Sequence, residues 1–428
     1  MRRFRWAHHL KTSLWTLPLV LVAVGIGLSV LTTALDPVGD LVPQRVSGDP
    51  TAAMQTLYLI AFSMLTLTGL VLSLLVVAVQ LAMGTFSPRI VRQILQDRPS
   101  QTAIGLFGAT FAHALLSIRS VRTTPDGGTV PGLSVVVAVV LVLLCMGTLI
   151  WYLNHIAQSL RTAALVGWVA DDTLTTLERE YSAGSHLPEL PPDLVPTPRS
   201  GVLFTVGHAR LVALAERADV RLELLWAVGD FVPTGAALVR VTGDPSAVSA
   251  REVGRCVVLG PERTLNQDVA YGLRMLVDIA ERSLSSSPFQ DPTTAVQAVD
   301  RLHDILRQVV RRPLHSGRYE DGSGTVRLLV PTLHWDGFVR IAFDELRQVG
   351  AASPQVTRRL RSALEDLLSV APEDRREALQ RQLDLLGEQS AAAAATSADR
   401  REALVPDPSG LGSADDLVRV APADHDGR

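Results

Sequence analysis

Four long apolar runs lie in the first 160 residues, and the rest of the chain alternates between polar and apolar positions. A helix needs about 20 apolar residues to cross the hydrocarbon core of a bilayer. Leu14–Leu35 meets that length, is followed by further spans, and has no small-residue cleavage site after a short core, so it predicts a membrane helix rather than a cleaved signal peptide. Leu57–Met83 is long enough to span with tilt. Thr102–Ile118 is shorter and carries Gly105, Gly108 and His113. Leu133–Leu153 is a Val/Leu run ending in Trp151 and Tyr152, where an interfacial aromatic belt is expected.

Beyond residue 160 the pattern changes. Ala163–Ser182 has helical spacing, and His186–Pro198 is proline-rich, so residues 161–199 read as a helical and proline-rich linker. Residues 200–262 predict a small β-rich module, with strands at Gly201–Val206, Val220–Trp226 and Ala237–Thr242 and a helix at Ala209–Arg217. Gly229–Val241 has the turn-and-strand pattern of small barrel-sandwich modules of the lipoyl kind. Residues 263–388 turn helical, with apolar faces over Asp268–Ser283, Thr293–Val310, Trp335–Val349, Gln355–Val370 and Asp374–Leu386, and a short strand at Val326–Pro331. Asp291 or Thr293 is placed to cap the second of these helices. Residues 389–428, rich in Ala, Ser, Asp and Gly, predict disorder. The fold class expected is a four-helix transmembrane α-domain at 1–160 joined to a cytoplasmic α+β domain, a β module followed by helices.

Composition and charge sharpen this picture. Apolar residues make up 47% of the chain, concentrated in its first third, and the formal net charge is only −3, so no global basic surface points to nucleic acid. Basic residues are distributed unequally between the loops. Arg2, Arg3, Arg5 and Lys11 precede the first span, and Arg89, Arg92 and Arg98 lie between the second and third. The other side has Arg45, Arg119 and Arg122. The positive-inside rule then places both termini in the cytoplasm of a bacterial inner-membrane protein. Cys145 and Cys256 form neither a disulfide framework nor a zinc pattern. Lys11 is the only lysine, so the β module has no residue to carry a lipoyl or biotinyl group.

Candidate chemistry falls into two groups. Within or beside the membrane, Gln80, His113 and the Ser87-Pro88-Arg89 element are candidates for a pore or coupling role, because polar groups in a bilayer are costly. The hydroxyls of Thr66, Thr68 and Ser73 are read as bonding back to their own helix. In the second region Arg263, Asp268, Arg274, Asp278, Arg282 and Asp291 are candidates for a protomer interface or an anionic ligand. Arg274, Asp278 and Arg282 fall at i, i+4 and i+8, a spacing more often used for solvated salt bridges. His303 with Asp304, and His334-Trp335-Asp336, read as isolated polar sites. No nucleophile elbow, Walker loop, Rossmann fingerprint or zincin helix occurs, so no catalytic residue, cofactor or metal is assigned.

Several segments, in order, resemble one family. These are FSPRIVRQILQD, QTAIGLF, SGVL followed by GDFVPTGAAL, RTLNQDVAYGLRMLVDIAERSLS, QDPTTAVQAVDRL and WDGFVRIAFDELRQVG. Together they are similar to the uncharacterised bacterial predicted membrane proteins of domain of unknown function 2254, from the first span to about residue 385. Gln290, in the loop Ser287-Pro288-Phe289-Gln290-Asp291-Pro292, stands where the family pattern has Asn. The resemblance implies architecture and no activity. The functional expectation is an ion channel or transport-type protein, assembled as a homo-oligomer in the lipid bilayer, with a cytoplasmic gating or regulatory domain; a small ion or an anionic ligand is the further partner expected. A membrane-anchored sensor or scaffold and a membrane-associated enzyme are the alternatives.

Overall fold

The computed structural model describes residues 15–36, 42, 49–85, 97–122, 130–159, 162–181, 190–285, 290–403 and 405–411. The chain divides into two compact units at Glu180/Tyr181.

The first unit is helical: α1 (Thr16–Leu35), α2 (Pro50–Thr85), α3 (Arg98–Ile118), α4 (Gly132–Ser159) and α5 (Thr162–Glu180). The first four are long and apolar enough to cross a membrane. Their burial is unequal. In α1, α2 and α4 only 22% of the most apolar window is buried, whereas in α3 the share is 61%. α3 is thus the central helix, wrapped by α1, α2 and α4. This explains its lower mean hydropathy, 1.3 against 2.2 to 2.9 for the others. A helix facing its neighbours rather than lipid can carry small and polar residues.

Small residues set the closest approach. A Cβ on Gly25 of α1 would lie 2.3 Å from the Ala109 carbonyl oxygen of α3, and one on Gly105 would lie 2.9 Å from the Pro18 Cα. The two backbones therefore touch. Leu19, Val24, Leu59, Phe62, Leu143 and Ile150 point outward, as lipid-facing side chains do. Tyr152 departs from the expected aromatic belt: it is fully buried beside Phe107 and Cys145, while Trp151 is half-exposed and stacks on His155. The adjacent residues face opposite ways because one helical step turns about 100°.

The second unit has two cores. One is built on β1 (Leu194–Pro196), β2 (Gly201–Val206), α6 (His208–Arg217), β3 (Arg221–Leu224), β4 (Phe231–Val232), β5 (Ala237–Thr242), α7 (Ala250–Cys256) and β6 (Val257–Gly260). Next in the chain come α8 (Val269–Ser285), α9 (Pro292–Val309), β7 (Arg318–Glu320) and β8 (Val326–Leu329). The helices α10 (Trp335–Gly350), α11 (Pro354–Val370), α12 (Glu373–Ala393) and α13 (Ser397–Glu402) complete the unit. α8 to α12 enclose the second core around Leu273, Leu302, Phe343, Leu360 and Leu379.

The strands form a five-stranded sheet of order β1-β5-β3-β8-β7 and a three-stranded sheet of order β4-β2-β6. β3 and β8 pair in parallel, Leu222 opposite Leu328, so the sheet takes strands from outside the 200–262 segment. β4 and β5 go to different sheets, so Gly229–Val241 does not form a barrel-sandwich hairpin. Two further segments depart from expectation. Leu194–Pro196, inside the proline-rich stretch, pairs with β5 as an edge strand, a position proline tolerates. The expected disorder after residue 389 is also corrected. α12 continues to Ala393, a capping box of Thr396 and Asp399 starts α13, and Asp407 is fully buried. The Gln355 side chain donates to the Gly410 carbonyl at 2.6 Å, tying this segment to α11. Residues 412–428 lie outside the described residues.

Candidate functional site

The polar side chains of α3 point into the bundle and gather in two layers. At its N-terminal end Asp97 caps the helix, accepting the Ser100 N–H at 3.1 Å and the Ser100 hydroxyl at 2.8 Å. The His155 ring of α4 lies 3.0 Å from the other Asp97 oxygen. Ser100 and Gln101 are buried beneath them.

The second layer, near the C-terminal end of α3, joins three helices. The Ser29 and Ser117 hydroxyls lie 3.1 Å apart, linking α1 to α3. The Thr32 and Ser134 hydroxyls lie 2.8 Å apart, linking α1 to α4. Asp36, just past α1, accepts the backbone N–H of Leu133 at 3.1 Å. His113 of α3 lies 3.1 Å from the Ser134 carbonyl through Nε2. A carbonyl only accepts, so Nε2 carries the hydrogen and the neutral ring presents Nδ1 as a bare acceptor. That Nδ1 is buried and has no hydrogen-bond partner among the described residues. All six side chains are at least 96% buried.

Between the layers α3 is apolar. Ala103, Ile104 and Phe107 pack with Met64 and Val71 of α2 and Cys145 of α4. Thr110 bonds back to the Leu106 carbonyl at 2.9 Å and lies 3.3 Å from the Cys145 sulfur.

The sequence candidates separate across these features. His113 is in the second layer. Gln80 is exposed on α2. Ser87, Pro88 and Arg89 lie outside the described residues. Thr66 and Thr68 donate back to the carbonyls of Phe62 and Met64 on their own helix.

The six charged candidates of the second unit do not converge. Asp268 accepts the Tyr271 N–H at 2.9 Å as the start of α8, and Arg263 lies 3.3 Å from its other oxygen. Gly229 passes so close that a Cβ there would lie 2.2 Å from the Arg263 guanidinium. Arg274 pairs with Asp278 at 2.6 Å and reaches Glu345 of α10 at 2.5 Å, fastening two helices. Arg282 lies in the last turn of α8. Asp291 caps α9, accepting the Thr294 N–H and hydroxyl. Its carboxyl is held below the usual carboxylate range by those hydrogen bonds. The structure brings Arg263 to Asp268 and Arg274 to Asp278.

His303, an isolated position along the chain, belongs to a network between α9 and α11. Arg359 donates to its Nδ1 at 3.0 Å and to Asp300 at 2.6 Å, so the His303 Nε2 hydrogen faces Asp366 at 2.7 Å. Arg307 also binds Asp366. His334 occupies the N-cap position of α10 without a side-chain cap bond. No group of three or more His, Cys, Asp or Glu side chains could hold a metal ion among the described residues. Asp36, Ser29, Thr32, Ser117 and Ser134 were missed as site residues. Each is ordinary near a helix end, and the only local signal was a carboxylate directly after an apolar run.

Comparison with known proteins agrees with the membrane architecture. The family model described as predicted membrane protein (DUF2254) matches residues 11–366. An uncharacterized protein of Mycobacterium bovis is 30% identical over 409 residues, covering 90% of this chain and 77% of the relative. An uncharacterized protein of Mycobacterium tuberculosis matches with the same identity and coverage. No solved structure matches. The chain belongs to the DUF2254 family of predicted membrane proteins.

Proposed function

We propose, starting from membership of this family, that the protein is a channel or transport-type protein of the bacterial inner membrane whose path follows α3. The observation that carries this reading is the arrangement of polar groups along that helix. Asp97 and Ser117 are 20 residues apart, about 30 Å of helix, which is close to the thickness of a hydrocarbon core. Polar layers stand at both ends, and the apolar layer around Phe107 separates them. Such a layer keeps a path dry and closed until side chains move, as hydrophobic gates do. Buried polar and ionisable groups at membrane depth are costly to keep, which favours a functional role.

The positive-inside rule puts both termini and the second unit in the cytoplasm, where that unit regulates opening. The polar groups of α3 are enclosed within one chain, so each copy carries its own path. Val166, Leu174 and Leu177 recur at helical spacing on α5 and are exposed, which supports packing between copies.

The test is ion flux into proteoliposomes, with Phe107→Ala beside the wild type and thermal melting as a check on folding. A folded variant that leaks ions above the wild-type level supports the reading. Membranes that stay tight for both proteins, across several salts and a pH gradient, overturn it. The anchored-sensor reading is favoured instead by an open cleft of about 640 Å³ in the second unit, lined by Leu190, Pro191, Leu194, Pro196 and Arg251. A sensor would keep its partner binding when α1–α4 are exchanged for an unrelated four-helix anchor.

A further inference from the structure

We infer that His113 is a proton-binding site of the membrane bundle, taking the proton on Nδ1 with the Asp36 carboxylate as its counter-charge. The inference deepens the transport reading, and the role of this proton in coupling rests on it. Proton binding itself stands on the geometry of the cluster.

The Nε2 hydrogen is committed to the Ser134 carbonyl, while Nδ1 is buried without a partner among the described residues. A buried polar atom left unsatisfied is destabilising, so the arrangement favours a species that engages that lone pair. A proton fits better than a metal ion or a larger cation. The hydroxyls around the ring are already paired, Ser29 with Ser117 and Thr32 with Ser134. A cation needing several oxygens would break these pairs, whereas a proton needs one lone pair only. The step balances simply. A hydronium ion on the aqueous side gives its proton to Nδ1, an N–H bond forms, water is left, and release reverses this.

The resulting imidazolium needs an opposite charge nearby. His113 and Asp36 bind consecutive residues of one helical turn, the Ser134 carbonyl and the Leu133 N–H. Asp36 is the carboxylate that α1 contributes at this level. On α4 the titratable neighbour is Cys145, hydrogen-bonded to Thr110, and α3 is followed by Arg119, with Arg122 beyond. From α2 the buried neighbours at this level are Ala53, Leu57 and Ala61, with Asp49 preceding the helix. The distance to water is short. His113 is five residues from the end of α3, about 7–8 Å of helix.

The test uses the full chain in lipid bilayers with ¹⁵N-labelled imidazole rings. His113→Gln keeps a donor for the Ser134 carbonyl, removes the titrating nitrogen and identifies the His113 signals by difference. The expected result is a change from neutral ring to imidazolium between about pH 4 and 8, a range set by the ordinary histidine value of about 6.5. Asp36→Asn should lower that midpoint by about one pH unit, a tenfold change in proton affinity. A His113 ring that stays neutral throughout this range, in a bundle shown by thermal melting to be folded, overturns the inference. A midpoint unmoved in folded Asp36→Asn overturns the role of Asp36 as counter-charge.

Proton flux in proteoliposomes, read with an internal pH dye, separates this inference from the transport reading. Titration with neither proton nor salt-ion flux keeps the proton site and removes transport. A wild-type His113 that never titrates, with flux that persists in His113→Gln, removes the proton site and leaves transport standing.

Discussion

The Asp36 carboxylate, just past the end of α1, accepts the backbone N–H of Leu133 in the first turn of α4 at 3.1 Å. The first turn of any helix leaves N–H groups without intrahelical acceptors. Here the acceptor comes from another helix, 97 residues earlier in the chain. Asp36 is 2% exposed, so water does not substitute for it.

Asp36→Ala should therefore destabilise the first unit by about 1–3 kcal/mol, the usual cost of leaving a buried donor unsatisfied. Asp36→Asn keeps a carbonyl oxygen facing Leu133 and should recover most of the loss. Thermal unfolding in mild detergent measures both, and equal losses would show that the hydrogen bond to Leu133 is not what matters.

The contact between α1 and α3 rests on Gly25. A methyl group there meets the Ala109 backbone at 2.3 to 2.8 Å, whereas one on Gly27 meets nothing within 4 Å. Gly25→Ala should lower stability by about 1–3 kcal/mol, the range for overpacking, and Gly27→Ala should not. Comparative melting curves of the two variants decide this.

Gly229 carries a backbone strain that suits only glycine. Its φ is +98°, and a Cβ would collide with the Arg263 and Asp268 side chains. Gly229→Ala should cost about 1–3 kcal/mol and disturb the start of α8. Gly254, on α7 with open space around it, provides the control, and Gly254→Ala should be neutral or slightly stabilising. Proteolysis rates of the full chain should separate the pair.

Asp366 makes part of the stability of the second unit depend on pH. Burial alone would raise its carboxyl, but hydrogen bonds from His303 and Arg307 outweigh burial and hold it below the ordinary range. A carboxyl whose folded value is depressed contributes stability above its unfolded value, about 3.9, and loses it as pH falls through the folded value. At pH 7 Asp366→Asn should be less stable by ~1 kcal/mol, allowing for solvent screening of this partly exposed group. The gap from wild type should narrow below about pH 4. A gap that stays constant from pH 7 to pH 3, read by thermal or denaturant unfolding, contradicts this account.

Much of the architecture was written locally. The four apolar runs are legible because a bilayer imposes a length on each helix by itself. The helices of the second unit follow the same logic, since one buried face repeats every three or four residues. The Asp291 cap is legible too, because its acceptor and donor lie three residues apart. The proline-rich stretch was harder to read. Leu194–Pro196 becomes a strand only because β5 offers it an edge, and edge pairing is a property of the partner.

The candidate site shows the same division. The sequence by itself determined that His113 is an ionisable residue inside an apolar run, which is costly wherever the helix faces. Tertiary structure decided what surrounds it. α3 is less apolar than its neighbours because it is the helix they wrap, and which helix is wrapped is decided by packing rather than by any local pattern. Ser29, Thr32, Asp36, Ser117 and Ser134 come from three helices, separated by up to 105 residues. The charged residues of α8 illustrate the converse. Their spacing brings Arg274 onto Asp278, but Glu345, its partner on α10, is visible only once the two helices are packed. Spacing determines which side chains share a face of one helix, whereas only packing determines which faces meet.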